Sequence, residues 1–360
     1  MNSPRLTYAL AALAVAGVAL RAPVLVAARA AANCGADFPV FYVAGKLAAS
    51  AELYSPAAVQ ALESSTIGCT SDSSRFIRLP YFAALSWPLS RLPFRVASEL
   101  WLWAGIAAIV GFILLWPGLK IATSAAMAWS LAIGWDLTQG NDVSFLLLWI
   151  ALGLFLLRRG RPFWAGLVFS LLLAKVHLFV LLPVLLAFKG MWRAVSGGIA
   201  GCAALLALSF AIQGSGWVPR FVRAATDRRI DPHPEHLQDI HGIASGHPGL
   251  EGVLAAAVLL AALYICRRAS FDGGLCAVLL AGLLLGYHMS ASDLALLVPV
   301  ALLLAGSAVE WLKIPGLIFL TPVPWYLSVP YPRATALSLL ALLGLLAVHA
   351  NRRVQLPALK

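Results

Sequence analysis

Along most of the chain, apolar runs of 13 to 23 residues with almost no charge alternate with short polar knots. A helix needs about 20 apolar residues to cross a hydrocarbon core about 30 Å thick, and runs of this length do not read as strands. The pattern therefore predicts an all-α polytopic membrane protein of about twelve spans. They are expected near 6–28, 94–116, 119–135, 143–157, 162–174, 176–188, 194–212, 251–266, 273–287, 294–309, 314–329 and 334–350. Two longer polar stretches interrupt them: 29–93, which carries short amphipathic pieces, and 213–250. Little of the 360-residue chain is left for a soluble domain, so 1–360 reads as one integral membrane domain.

Composition narrows the class further. The chain is 61% hydrophobic and 11% charged, with mean hydropathy +0.87, whereas soluble chains run near 45–50% apolar and about 25% charged. This excludes a secreted, nuclear or cytosolic enzyme. The net charge of +11 would suggest a nucleic-acid partner in a soluble protein, but its distribution argues otherwise. Thirteen of the 26 basic residues, among them Lys120, Arg158, Arg159, Arg161, Arg267 and Arg268, fall in knots that can all lie on one side, against only Asp272 and Glu310. The remaining charges balance. That is the bias by which cytoplasmic loops gather Lys and Arg, and it expects a multi-pass protein of the cell membrane with both termini cytoplasmic and 29–93 and 213–250 external.

Two segments admit a second reading. Residues 78–91 could be counted as a span, but Pro88 interrupts a run of only about 12 residues, and counting it would move Arg158 to Arg161 outside; an interfacial helix on the outer surface is expected instead. Residues 1–30 also look like a cleavable signal peptide, although their apolar run of near 20 residues exceeds the 7 to 15 usual there.

With that orientation, the polar residues that interrupt apolar sequence gather at external span ends. They are Asp37, the Asp136–Asp142 turn, Lys175 with His177, and His288 with Asp293. A charge at the centre of a membrane helix costs on the order of 2.5–3.5 kcal/mol, so such residues mark a cavity or a site. A polar cavity opening on the outer leaflet is expected.

These residues also carry a resemblance. Residues 34–45 (CGADFPVFYVAG) with Leu53-Tyr54-Ser55-Pro56 are similar to the first external loop of glycosyltransferase family 87, whose members have the GT-C fold. Phe76 to Tyr81, Leu100-Trp101, the Gln139-Gly140-Asn141 turn, Arg159-Gly160-Arg161, Lys175-Val176-His177 and Tyr287-His288 to Asp293 follow in the family's order. Two departures stand out: the family's turn more often reads Gly-Gln, and its Lys-Pro pair is Lys175-Val176 here. The resemblance implies a GT-C-type bundle that takes a sugar, typically mannose, from a polyprenyl-phosphate carrier and passes it with inversion to a lipid or glycan acceptor at the external face. Asp37 matches the catalytic position and would act as general base. Lys175, His177, Arg78 and His288 are the candidates to meet the donor phosphate, whose charge grows as it leaves. Tyr42, Gln139, Asn141 and Asp293 are expected to line the acceptor cavity. No cofactor or metal is expected beyond the sugar donor, and no nucleic acid partner.

Ordinary structural explanations stand beside these roles. Asp37 precedes Phe38-Pro39 and could cap a surface helix; Lys175 could snorkel; His177 could be a core histidine; Asp293 could cap the span that follows it. His233, His236, His241 and His247 match no metal-ligand spacing, and the arginines at 220, 223, 228 and 229 could meet lipid phosphates. Cys34 and Cys69 share the first external stretch, where a disulfide can form. The rival function is a transporter or lipid flippase, which uses short broken spans, and a non-catalytic scaffold is a third.

Overall fold

The computed structural model describes residues 8, 11–20, 36–72, 74–118, 120–227, 233–286, 289, 291–321 and 323–351, and all regular secondary structure among them is helical. Among the described residues, four helices are long and apolar enough to cross a membrane: Phe94–Leu115, Trp192–Gln213, Pro248–Arg268 and Pro332–Asn351. Their 20 to 22 residues extend about 30–33 Å at about 1.5 Å per residue. Each leaves most of its apolar surface outside the protein, with Leu114, Ile199, Val253, Leu260, Leu337 and Val348 exposed. A fifth candidate is Leu131–Gln139 followed by Val143–Arg158, bent by 119° between them.

The remaining apolar runs are short or broken. The expected span 119–135 divides at Ser130, which caps Leu131–Gln139 by accepting from the Ile133 amide at 3.3 Å. The pair 162–174 and 176–188 becomes Pro162–Phe169, a 3-10 helix Ser170–Lys175, then Val176–Phe179 and Leu182–Phe188. Another 3-10 helix, Ala291–Leu296, leads into Leu297–Ala305, and 314–329 divides into Glu310–Phe319 and Val323–Ser328. Length and composition thus identify four to five spans.

A helix that is apolar all round belongs in the interior. Phe271–Leu285 is that helix: every residue from Asp272 to Leu284 is buried, against Pro248–Arg268, Pro332–Asn351 and Val176–Phe179. Small residues let helices approach closely where lipid provides no hydrophobic drive. Pro162–Phe169 lies on Trp192–Gln213 through Gly166 and Gly197, whose Cα atoms face the carbonyls of Ala194 and Phe163 with no room for a Cβ.

The first loop departs from expectation. Its leading helix, Asp37–Lys46, is not an amphipathic surface piece: Phe38 to Gly45 are all buried, packed on Pro80–Ser90. A Cβ at Gly45 would sit 2.7 Å from the Ser86 carbonyl oxygen. Pro80–Ser90 continues through Pro88 and buries one face while leaving Leu85 and Trp87 exposed. Cys69 is disulfide-bonded and Cys202, Cys266 and Cys276 are free; Cys34, its expected partner, lies outside the described residues.

Candidate active site

The 119° bend brings two distant parts of the chain together. Gly140 closes the Leu131–Gln139 helix in a left-handed conformation, φ +64°, which glycine adopts without steric cost. A Cβ there would lie 2.5 Å from Cβ of Phe38. Trp101 donates from its indole to the Gly140 carbonyl at 2.9 Å and packs against Phe38 with the rings tilted and their centroids 5.4 Å apart. Asp136 accepts from the amides of Val143 and Ser144, at 2.9 and 3.2 Å, and from the Ser144 hydroxyl. The turn is therefore fixed from both sides, with Asn141 and Asp142 directed at the start of Asp37–Lys46.

Around them a buried ionic cluster assembles. Arg78 makes a two-point contact with Asp142, Nε to Oδ2 at 3.0 Å and Nη2 to Oδ1 at 3.3 Å. Lys175 Nζ meets Asp293 Oδ1 at 2.5 Å, Asp142 Oδ1 at 3.3 Å and Asn141 Oδ1 at 3.1 Å. The Asn141 amide nitrogen donates to Asp37 Oδ2 at 2.9 Å and to Ser292 Oγ at 2.8 Å. Arg78, Lys175, Asp142 and Asp293 are all buried, and two cations face three carboxylates. Asp142 and Asp293 neutralise the cations, so the surplus carboxylate is Asp37, and it alone of the three is partly exposed.

Asp37 lies in the first turn of its helix without capping it: Ala36 is the N-cap and no side-chain cap bond forms. Burial pushes its carboxyl from 3.8 up to about 6, against the pull of Lys175 and Arg78. A carboxylate of that strength is mostly ionised near neutrality and still basic enough to accept a proton, which suits a general base.

Lys175 does not snorkel. The 3-10 helix Ser170–Lys175 turns it inward, where its ammonium donates to Asn141 and Asp293 and pairs with Asp142. It therefore anchors Asn141, Asp142 and Asp293 from behind the site. Arg78 keeps guanidinium N–H groups beyond the two that bind Asp142. Asp293 lies inside a 3-10 helix, paired with Lys175. The Tyr42 hydroxyl donates to the Leu92 carbonyl at 2.6 Å. Gln139 borders a crevice of about 20 Å³ with Ala36, Phe38, Phe94 and Trp101. His288 and the side chain of His177 lie outside the described residues.

Asp136 and Asp142 bounded the polar turn expected from the sequence without a role of their own, and Ser292, which accepts from Asn141, was not singled out there. Asp142 had a signal, a carboxylate directly after Gly140-Asn141 between two apolar runs. No group of three or more metal-ligating side chains occurs among the described residues, and the histidine segment makes local pairs, His233 with Glu235 at 3.2 Å and His241 with Glu251 at 3.0 Å.

The chain segment on either side of Lys175 also walls an apolar groove of about 450 Å³. The segment that turns Lys175 inward presents Leu172, Leu173 and Val176 to it, opposite Ile199 and Leu206 of Trp192–Gln213.

The family model described as glycosyltransferase family 87 matches residues 76–292. Comparison with curated proteins and with solved structures returns no match.

Proposed function

The chain belongs to glycosyltransferase family 87, and from that premise we propose that it moves mannose from a polyprenyl-phosphate carrier to a lipid or glycan acceptor at the external face of the cell membrane. In this reading the spans form a GT-C-type bundle of about twelve helices serving cell-envelope synthesis, with both termini cytoplasmic. The observation that carries it is the surplus, partly exposed carboxylate of Asp37 on a buried cluster that holds it in place.

The acceptor hydroxyl oxygen attacks the anomeric carbon from the face opposite the phosphate, and its proton passes to the Asp37 carboxylate. The bond between the anomeric carbon and the phosphate oxygen breaks, its electron pair stays on the polyprenyl phosphate, and the configuration inverts. As the diester becomes a monoester its charge grows from about −1 toward −2, and a preorganised cation lowers the barrier most where that charge develops. Arg78 fills this role with its remaining N–H groups, supported by His177 and His288. Asn141 fixes the rotamer of Asp37, and Asp293 fixes Lys175 behind it. The apolar groove supports the reading because an isoprenoid tail needs an apolar path close to the reacting phosphate.

The test is transfer of radiolabelled mannose from polyprenyl-phosphate mannose by the purified protein in lipid nanodiscs. Asp37→Asn should lower turnover by about 10²–10⁴, the usual contribution of a general base, with an unchanged thermal unfolding curve. Wild-type turnover in that variant would remove the mechanism. The broken helices around Lys175 also suit a flippase, which would move the carrier across the bilayer without releasing mannose from it.

A further inference from the structure

Away from Asp37, a second cavity of about 300 Å³ lies between the first loop and the Trp217–Ala225 helix. Its walls carry Arg75, Arg220, Arg223 and one carboxylate, Asp227, together with Tyr54 and Ser55. Three guanidiniums against one carboxylate leave a surplus of positive charge. Arg75 pairs with Asp227, and Arg220 Nη2 donates to Gln213 Oε1 at 3.1 Å. The Nε of Arg75 and the Nε of Arg220 are both buried and have no acceptor among the described residues. Buried donors are satisfied in nearly all native structures, so two orphaned guanidinium N–H groups at one cavity point to an anionic acceptor. Ser55 also opens the 12-residue Pro56–Ile67 helix at this cavity, and a helix N-terminus adds positive potential there.

We infer that this cavity binds a phosphate group, distinct from any phosphate handled at the Asp37 cluster. Tetrahedral phosphate offers several acceptor oxygens in the geometry that forked guanidiniums match, and one anion would satisfy both orphaned N–H groups while offsetting the surplus charge. The Trp217–Ala225 helix exposes Val218 and Val222 beside its arginines, the mixture of a helix lying at a lipid interface, so the phosphate can arrive on a lipid headgroup or free in solution. Tyr54 ties the cavity to the catalytic cluster: it lines the cavity, and its hydroxyl donates to the Arg78 carbonyl at 2.8 Å. The inference does not depend on the sugar or the acceptor.

The experiment titrates the full-length protein in detergent with inorganic phosphate, with dihexanoylphosphatidic acid, and with dihexanoylglycerol as the control lacking phosphate. Loss of one charge-assisted contact weakens binding by about tenfold or more. Arg220→Gln and Arg223→Gln should each show that loss for the phosphate-bearing probes, and Asp37→Asn should show none. Arg223 is exposed and Arg220 half-buried, so the Arg223 variant reports even if Arg220→Gln does not fold. Tighter binding of the phosphatidic acid than of inorganic phosphate assigns the site to a lipid headgroup, and equal binding assigns it to phosphate itself. Unchanged affinity in Arg223→Gln, or no binding of either probe above the control, overturns the inference.

Discussion

Asp37 and Lys175 stand about one amide apart, joined through Asn141, yet the physics gives them opposite tasks. Asp37 has one hydrogen bond and an elevated pKa, while Lys175 is held by Asn141 and two carboxylates. Transfer by general base catalysis needs the ionised carboxylate, so kcat/KM should rise with pH, level off above about 7 and fall about tenfold per unit below about 6. A limb that sits near 4 instead, where an exposed aspartate titrates, would separate Asp37 from the rate. For Lys175 the prediction concerns stability. Removing one member of a buried ion pair costs about 3–5 kcal/mol, whereas removing both is often nearly neutral. Lys175→Met should therefore depress thermal stability strongly, and adding Asp293→Leu should restore most of it, as read by thermal unfolding in detergent. A Lys175→Met protein that unfolds like the wild type would show that the ammonium serves only a substrate.

At the level of elements, the site depends on a turn that only glycine allows. Gly140 combines positive φ with direct contact on Phe38. A left-handed conformation costs a non-glycine residue about 1–2 kcal/mol, and the added methyl would also push the Asp37–Lys46 helix from Asn141. Gly140→Ala is thus expected to lower transfer far more than its cost in stability, because it separates Asp37 from Asn141; equal losses in the two would mean that the turn only supports the fold. The family's order of Gly and Gln is reversed at this turn, and the structure supplies the reason the glycine stands second here. Periodicity made the long helices legible, and the ordered polar residues marked positions that the fold brings together, including Asp37, Lys175, Asn141 and Asp293. The role of Asp142, which bounds the expected polar turn, stayed hidden because its partners, Arg78 and Lys175, lie 64 and 33 positions away in the chain, and a single sequence carries no signal of that pairing. The burial of Asp37–Lys46 was equally hidden, since a helix apolar on all sides in a polar loop declares itself only through what covers it.

For the whole molecule, length sets the open question. Among the described residues four helices, or five with the bent pair, are long enough to cross alone, while the broken segments around Lys175 and Asp293 fall short of the roughly 20 residues a crossing needs. Irregular backbone at membrane depth is tolerated where protein buries it, and these breaks are so covered: Leu172, Ala174 and Leu178 are buried on one side of the cluster and Ser292 to Leu296 on the other. The pieces on either side of each break can then share one crossing, with the break supplying the polar groups of the site. On this reading the basic knot at Arg159 faces the cytoplasm and the 233–247 segment faces outward, together with Asp37. Arg159 and His247 are both exposed, so cysteines placed there report directly. In intact cells an impermeant thiol reagent should label His247→Cys and leave Arg159→Cys at the level of the parent protein, with both reacting after the membrane is permeabilised. Labelling at Arg159 in intact cells would reverse the orientation and carry the surplus carboxylate to the cytoplasmic face, where an externally oriented donor could not reach it.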